Sequence, residues 1–279
     1  FYMRTIKLIA LDLDGTLLNS QKGLSERNRR ALARCAEQGI QIVPTTGRAA
    51  GGIMPVVRSL PGVNYGITTN GGVVADLVGN RSLKTCTLPN RTALQILKIV
   101  DKYHAMYDPY IDGRGISQSG FMDHLDEYGL SSVMQEMVRA TRDVYPSIIG
   151  HVEETGKDVE KINVYVADLG DREPLKKELS AIPGLIISSS LYNNIEINME
   201  GATKGNALLW LASYLGISIE ETMAFGDGEN DLSMLKAAGI GIAMANGIEA
   251  AKEAADEITL TNDEDGVAAA IERLVLDQQ

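Results

Sequence analysis

Cysteine is nearly absent from this chain: Cys35 and Cys86 are the only two among 279 residues. Two thiols cannot build the disulfide framework that stabilises many small secreted proteins. Cys35 lies in a helical pattern, where a small apolar filler is its usual role. We therefore expect both cysteines to be structural, and the scarcity of cysteine favours a reducing, cytoplasmic compartment.

Long hydrophobic runs are also missing. No stretch of about 18 apolar residues occurs, so a membrane-spanning helix is not expected. The first residues lack a basic region that leads into an apolar core and a small-residue cleavage site, so no secretory signal is expected either. The hydrophobic residues, 44% of the chain, are instead spread over short runs that can build a substantial core.

Basic residues are in the minority. The chain has 37 acidic and 26 basic residues, which gives a net charge of −11. Such a surface repels the phosphate backbone of nucleic acids, and no basic stripe with interleaved aromatic residues is present. Nucleic acid is therefore not an expected partner. A phosphorylated substrate would need a bound cation or local donors to reverse the electric field at its site.

Short apolar runs followed by polar or glycine-rich residues predict strands at 6–11, 40–44, 65–67, 223–225 and 240–244. Helical patterns between them cover residues 26–38, 203–215, 230–238 and 248–255. This alternation indicates a parallel sheet covered on both faces, in which ligands bind beyond the carboxyl ends of the strands. The polar residues predicted at those ends are Asp12, Thr46, Asn70, Asp227 and Asn246.

The middle of the chain shows a different order of predicted elements, with helices at 92–103 and 130–142 and a Gly/Asp/Ser-rich turn region at 108–120. Strand-like runs follow at 161–166, 185–188 and 195–198. The predicted fold is therefore α/β: a doubly wound, Rossmann-like parallel sheet core with an inserted α+β cap domain. We expect residues 1–83 and 200–279 to form the core and residues 84–199 the cap.

Asp12 and Asp14 stand two residues apart at the end of the first predicted strand. In an extended chain such residues point to the same side, so both carboxylates can face one pocket. They repel each other by about 4 kcal/mol at 4 Å with an effective dielectric constant near 20. The arrangement is stable if a divalent cation binds there or if one carboxyl holds a proton. An Asx-rich turn that closes the strand is the simpler alternative.

The segment Asp227-Gly-Glu-Asn230-Asp231 ends a second apolar strand and opens a helix, which adds oxygen ligands at the same edge. Mg²⁺ prefers such hard oxygen sites. A calcium-binding EF-hand loop is excluded because its twelfth position, a glutamate in that motif, is Ala238 here. His104, His124 and His151 lack the spacing of metal ligands.

Lys204 lies in the first turn of a predicted helix, where its charge opposes the helix dipole by about 0.3–1 kcal/mol. A residue that breaks a local rule often serves a site rather than the fold, although a solvated surface lysine is the alternative. Thr46 and Gly47 form a strand-to-helix turn that could hold a phosphate. Arg48 could pair with that phosphate or with a carboxylate. Asn70 could belong to the site or form an Asn-Gly turn.

Four motifs in this order resemble the haloacid dehalogenase superfamily of phosphohydrolases, in particular its Cof-like branch: DLDGT at 12–16, TGR at 46–48, Lys204, and GDGEND at 226–231. The long segment between Asn70 and Lys204 lies where this branch carries its larger α/β cap. The predicted core resembles that of the family in its motifs and their order. The predicted cap resembles the family's cap only in its size and its mixture of helices and strands.

The resemblance implies an enzyme in which Asp12 is the nucleophile and Asp14 the general acid/base. It implies Mg²⁺ bound by the Asp12 carboxylate, the Asp14 backbone carbonyl and the Asp227 carboxylate, with Asp231 acting through water. The residues implied in binding the substrate's phosphoryl group are Thr46, Gly47, Arg48, Asn70, Lys204 and Asn230. As proton donor in the first step, Asp14 is expected to have a pKa above the usual 3.9.

The expected function is hydrolysis of a small phosphorylated metabolite, such as a sugar phosphate, through an aspartyl-phosphate. Two alternatives remain from the same motifs: a phosphomutase, and a non-catalytic regulator that binds a phosphometabolite. The sequence gives no motif for the identity of the substrate, for the cap residues that select it, or for the oligomeric state.

Overall fold

A computed structural model describes residues 5–277 of the chain. The chain forms two compact units. The first contains the described residues up to Arg48, the segment Ile53–Lys84 and the described residues from Thr203 onward. The second contains Ala49–Gly52 and Thr85–Ala202. Among residues 5–277, no helix combines the length and apolarity needed to cross a membrane.

The strands in chain order are β1 (Leu8–Leu11), β2 (Gln41–Pro44), β3 (Tyr65–Thr68), β4 (Val73–Asp76), β5 (Arg81–Thr85), β6 (Ala105–Ile111), β7 (Arg114–Gln118), β8 (Arg142–Tyr145), β9 (Lys161–Val166), β10 (Leu185–Ser188), β11 (Asn194–Met199), β12 (Thr222–Gly226), β13 (Ile240–Ala243) and β14 (Glu257–Ile258). The α-helices are α1 (Glu26–Glu37), α2 (Pro55–Arg58), α3 (Asn90–Val100), α4 (Ser119–Met122), α5 (Ser132–Thr141), α6 (Ile148–Thr155), α7 (Arg172–Leu179), α8 (Lys204–Tyr214), α9 (Leu232–Ala237), α10 (Glu249–Ala254) and α11 (Gly266–Ile271).

A five-stranded parallel sheet in the order β14-β13-β12-β1-β2 forms the centre of the first unit. Alternate residues of β1 feed two separate cores. Ile9 and Leu11 pack in a cluster with α1 and α11, whereas Leu8 and Ala10 pack in a cluster with α8 and α9. Because both faces of the strand are buried, its sequence is a continuous apolar run. The predicted α/β fold with a doubly wound parallel sheet is confirmed.

The third predicted strand was assigned to the wrong sheet. β3 pairs antiparallel with β4 in a separate three-stranded sheet in the order β3-β4-β5. An isolated parallel bridge between Thr45 and Ile67 links it to the end of β2 in the parallel sheet. The predicted strand therefore exists and still ends near the carboxyl end of β2. Its main pairing partner is the strand that follows it.

The second unit is built on a six-stranded sheet in the order β10-β11-β9-β6-β7-β8. The prediction of a turn region at 108–120 was wrong. Those residues form most of β6 and β7, which pair as a hairpin. Alternation along β9 gives this sheet one apolar face, which carries Ile162 and Val164. The opposite face carries buried ion pairs, Lys161 with Glu196 and Arg142 with Asp108, each at 2.9 Å between nitrogen and oxygen.

The two cysteines should differ in their reactivity with alkylating reagents. Cys35 is fully buried in α1, and burial raises the pKa of its thiol to about 12, so the reactive thiolate is scarce at pH 8. Cys86 is partly exposed. We expect iodoacetamide to modify Cys86 in the folded protein and Cys35 only after addition of denaturant, as measured by peptide mass spectrometry. Modification of both residues at equal rates under native conditions would contradict the packing of α1.

Candidate active site

The carboxyl ends of the adjacent strands β1 and β12 bring two acidic loops together. Asp12 directly follows β1, and its backbone N–H continues the ladder by donating to the Phe225 carbonyl at 3.0 Å. Asp227 directly follows β12. With Asp231, these residues form a cluster in which one carboxylate oxygen of each lies within 4.8 Å of the others. The convergence of the two loops thus follows from the parallel pairing of the strands.

Lys204 is the cation of this cluster. It is the first residue of α8, and its side chain is fully buried. Its Nζ donates to Asp12 Oδ1 at 2.7 Å and to Asp231 Oδ1 at 2.6 Å. The turn at Gly71 packs against the start of α8: a Cβ there would lie 2.2 Å from the Thr203 carbonyl oxygen. The alternative of a solvated surface lysine is therefore wrong.

Asp231 organises the loop that carries Asp227. Its Oδ2 accepts hydrogen bonds from the backbone N–H groups of Asp227 and Gly228, both at 2.9 Å, while Oδ1 accepts from Lys204. The side chain is buried and has donors on both of its oxygens. Asp227 is held from the other side, because Thr16 Oγ1 donates to its Oδ1 at 2.7 Å.

The cluster carries more negative than positive charge. Three carboxylates surround one ammonium, which leaves two negative charges uncompensated within it. Burial and the neighbouring carboxylates raise the pKa of Asp12 well above its ordinary value despite the opposing effect of Lys204. Burial, followed by the charge of Asp231, raises the pKa of Asp227 to about 6. A hard divalent cation fits this set of oxygen donors and would supply the missing charge.

The carboxylate of Asp14 lies outside this cluster and is paired with two cations. Arg48 donates from Nε to Asp14 Oδ2 and from Nη2 to Asp14 Oδ1, both at 2.8 Å. Lys22 donates to Oδ1 at 2.7 Å. Of the two partners considered for Arg48, the carboxylate is the one it contacts. The bidentate geometry is the strong form of an Arg–carboxylate pair.

The expected rise in the pKa of Asp14 was wrong for this arrangement. Burial alone would raise that pKa, but the hydrogen bonds and charges of Arg48 and Lys22 outweigh burial and hold it well below its ordinary value. The structure therefore favours the ionised carboxylate, which can accept a proton.

Thr46, Gly47 and Asn70 belong to two loops that are hydrogen-bonded to each other. Thr46 is buried, and its carbonyl accepts from the Asn70 N–H at 3.1 Å. Asn70 has a left-handed backbone with φ of 60°. Its Oδ1 accepts from Asn230 Nδ2 at 3.0 Å, which ties this loop to the one that carries Asp227. Gly47 lies in the bend between Thr46 and Arg48.

Two residues in these contacts were missed from the sequence. Thr16 entered the sequence analysis only as the last residue of the DLDGT motif and was given no role, although its hydroxyl fixes Asp227. Lys22 carries no motif signal, since it reaches Asp14 from a turn in which its own φ is 62°. Asn246, expected at a strand end, is exposed and binds the Gly15 carbonyl rather than any carboxylate of the cluster.

Comparisons with known proteins agree with the motifs. Residues 9–271 match the family model for haloacid dehalogenase-like hydrolases. Phosphatase YwpJ of Bacillus subtilis is 35% identical, over 97% of this chain and 100% of that protein. The 5-amino-6-(5-phospho-D-ribitylamino)uracil phosphatase YcsE of the same organism is 34% identical, over 97% and 96%.

A solved structure supports the same assignment. A haloacid dehalogenase-like hydrolase from Bacteroides thetaiotaomicron has a TM-score of 0.83 and 33% identity, over 97% of this chain and 100% of that one. The match extends across both compact units. The chain therefore belongs to the haloacid dehalogenase-like hydrolases, in their Cof-like branch, and is a phosphoric monoester hydrolase.

Proposed function

We propose that this enzyme is a magnesium-dependent phosphatase that hydrolyses a small phosphorylated metabolite through an aspartyl-phosphate on Asp12. The observation that carries the proposal is the buried cluster of Asp12, Asp227 and Asp231 around Lys204 at the carboxyl ends of β1 and β12. A carboxylate nucleophile divides phosphoester hydrolysis into two easier displacements.

In the first step, a carboxylate oxygen of Asp12 attacks phosphorus and the bond from phosphorus to the leaving oxygen breaks. Lys204, already hydrogen-bonded to Asp12, places a positive charge beside the transferring phosphoryl oxygens. Positioning and charge stabilisation of this kind provide most of the catalysis in phosphoryl transfer. Asp14 donates a proton to the leaving oxygen. Because Arg48 and Lys22 favour its ionised form, Asp14 must leave these contacts and take up a proton from solvent before this step.

In the second step, water attacks phosphorus, the bond between phosphorus and Asp12 breaks, and inorganic phosphate leaves. The Asp14 carboxylate takes the proton of the attacking water. Arg48 and Lys22 favour the ionised form of Asp14, which is the form that this step needs. Thr46 and Asn70, on the adjoining loops, are proposed to bind the phosphoryl group together with Gly47 and Asn230.

The proposed ligands of Mg²⁺ are the carboxylates of Asp12 and Asp227 and the backbone carbonyl of Asp14, with Asp231 acting through water. Bound Mg²⁺ would neutralise charge that develops on the phosphoryl oxygens. The two uncompensated negative charges of the cluster support a divalent ion at this position.

The substrate is proposed to be a small phosphorylated metabolite, with a sugar phosphate as the first class to test. The relatives do not support a narrower substrate class. Of two with nearly equal identity, one is named simply as a phosphatase, and the other is named for a phosphorylated ribitylaminouracil. We propose that residues 1–83 and 200–279 form the catalytic core and that residues 84–199 form a cap that selects the substrate. The proposed compartment is the cytoplasm, and neither nucleic acid nor a membrane is a proposed partner.

Replacement of the nucleophile tests the proposal most directly. We expect Asp12→Asn to lower Mg²⁺-dependent phosphate release from an aryl phosphate on the order of a thousandfold or more, because the amide cannot form the phosphoenzyme. The variant should remain folded, since it removes one of three crowded carboxylates, and its denaturant unfolding curve checks this. Phosphate release at the parental rate would overturn the mechanism. Transfer to a second substrate, without free phosphate, would indicate a phosphomutase.

The role of Asp14 should depend on the leaving group. We expect Asp14→Asn to lower kcat/KM for an alkyl phosphate by roughly a hundredfold or more, because a poor leaving group needs a proton. For p-nitrophenyl phosphate, whose leaving group needs little protonation, the loss should be at least tenfold smaller. Asp76→Asn is the matched control: Asp76 is the partly buried last residue of β4, and its carboxylate accepts hydrogen bonds from the Gly79 N–H and from Arg81. Equal losses on both substrates would exclude Asp14 as the proton donor.

Magnesium should stabilise the folded enzyme without substrate. A ligand at 100 times its dissociation constant adds about 2.7 kcal/mol, so we expect Mg²⁺ to raise the Tm by about 5 to 10 °C and EDTA to reverse the rise. Asp227→Asn should abolish most of the shift because it removes a ligand, whereas Asp76→Asn should retain it. A Tm that does not respond to Mg²⁺ in the parent would refute the proposed ion.

A further inference from the structure

Asn246 connects three loops at the edge of the site, although it contacts none of the clustered carboxylates. Its Nδ2 donates to the Gly15 carbonyl at 2.8 Å, and its Oδ1 accepts from the Asn262 N–H at 2.9 Å. Asn262 in turn donates through its side chain to the Leu18 carbonyl at 3.0 Å. An exposed side chain with both ends of its amide bonded to the backbone is held in one orientation.

The segment that carries Asn246 is fixed to the Asp227 loop. The Met244 N–H donates to the Gly226 carbonyl at 3.0 Å, and the Ile248 N–H donates to the Asp227 carbonyl at 2.9 Å. These bonds lie on either side of Asn246 in the chain. The Asn246 side chain therefore links the backbone around Asp227 to Gly15, in the loop that follows the nucleophile.

Gly15 lies directly against the Asp227 carboxylate. Its φ is +86°, and a Cβ at this position would lie 2.5 Å from Asp227 Oδ2. The next residue, Thr16, donates to Asp227 Oδ1. The peptide on the N-terminal side of Gly15 carries the Asp14 carbonyl, which is one of the proposed metal ligands. A shift of Gly15 would thus move that carbonyl relative to Asp227.

We propose that Asn246 is a positioning residue: by holding the Gly15 carbonyl, it fixes the spacing between the Asp14 carbonyl and the Asp227 carboxylate, and so sets the affinity for Mg²⁺. The inference rests on the proposed function, because it concerns the same metal site. It assigns a role to a residue that touches neither the substrate nor the ion.

The test compares two substitutions that both remove the hydrogen bonds but differ in side-chain volume. Asn246→Ala removes both hydrogen bonds and the volume, whereas Asn246→Leu removes the hydrogen bonds but keeps a similar volume. We expect both variants to raise the dissociation constant of Mg²⁺, measured by calorimetry without substrate, by about three- to tenfold, which is the range of one net hydrogen bond. At subsaturating Mg²⁺, kcat for p-nitrophenyl phosphate should fall while KM stays within twofold of the parent, and saturating Mg²⁺ should restore kcat.

Ser20→Ala is the matched control. Ser20 Oγ donates to Asp263 Oδ2 and so joins two of the three loops that Asn246 connects, but it makes no bond to Gly15. Its loss should therefore leave Mg²⁺ affinity within twofold of the parent. The inference would be overturned if both Asn246 variants kept parental Mg²⁺ affinity, including the case in which only their metal-free unfolding midpoints fell. An equal loss of affinity in Ser20→Ala would also overturn it. A parent that neither binds Mg²⁺ nor releases phosphate would instead refute the proposed function itself.

Discussion

The burial of three carboxylates around one ammonium is the constraint on which the catalytic unit depends. Buried charges are costly unless each is paired and hydrogen-bonded. Lys204 provides that pairing for Asp12 and Asp231, while backbone N–H groups of the Asp227 loop complete the shell of Asp231. Burial, together with the excess negative charge that remains, raises the pKa values of Asp12 and Asp227, and that excess charge makes the cluster receptive to a divalent cation.

In this fold, the residues that stabilise the sheet are different from the residues that form the cluster. The apolar residues of β1 pack into two cores on opposite faces of the parallel sheet, so the strand itself is rigidly held. The reactive side chains come from the turns just beyond the strands. Rigid strands with polar turns place charged groups accurately without requiring them to contribute to the core.

The charged groups around Asp14 form a second electrostatic centre, in which positive charges outnumber negative ones. Asp14 has one carboxylate against two cations, whereas the main cluster has three carboxylates against one. Neighbouring acidic groups thus experience opposite influences: the pKa of Asp12 is raised and that of Asp14 is lowered. Separation of pKa values between two nearby carboxyl groups is a common way to give them different chemical roles.

Most of the parallel sheet and the main cluster could be predicted from the sequence, because both depend on local patterns. Apolar runs define the strands, and parallel strands bring Asp12 and Asp227 to one edge. The ion pair between Asp14 and Lys22 could not be predicted from the sequence. Lys22 has a long side chain and lies on a turn with left-handed backbone, and no periodic pattern reports such a contact. The hairpin at 108–120 was missed because its polar composition resembles a loop. Buried Asp108 is paired with Arg142, which lies 34 residues away, and local composition does not report such a partner.

The polar face of the six-stranded sheet has a consequence for how β9 and β11 align. Neighbouring side chains of a strand lie on opposite faces, so a slip by one residue would exchange every inward and outward position. For β9, such a slip would drive Lys161 into the apolar layer that Ile162 and Val164 occupy, away from Glu196. An unpaired buried charge costs several kcal/mol, which makes the shifted alignment a poor competitor. The buried ion pairs of this sheet therefore favour a single register of β9 and β11.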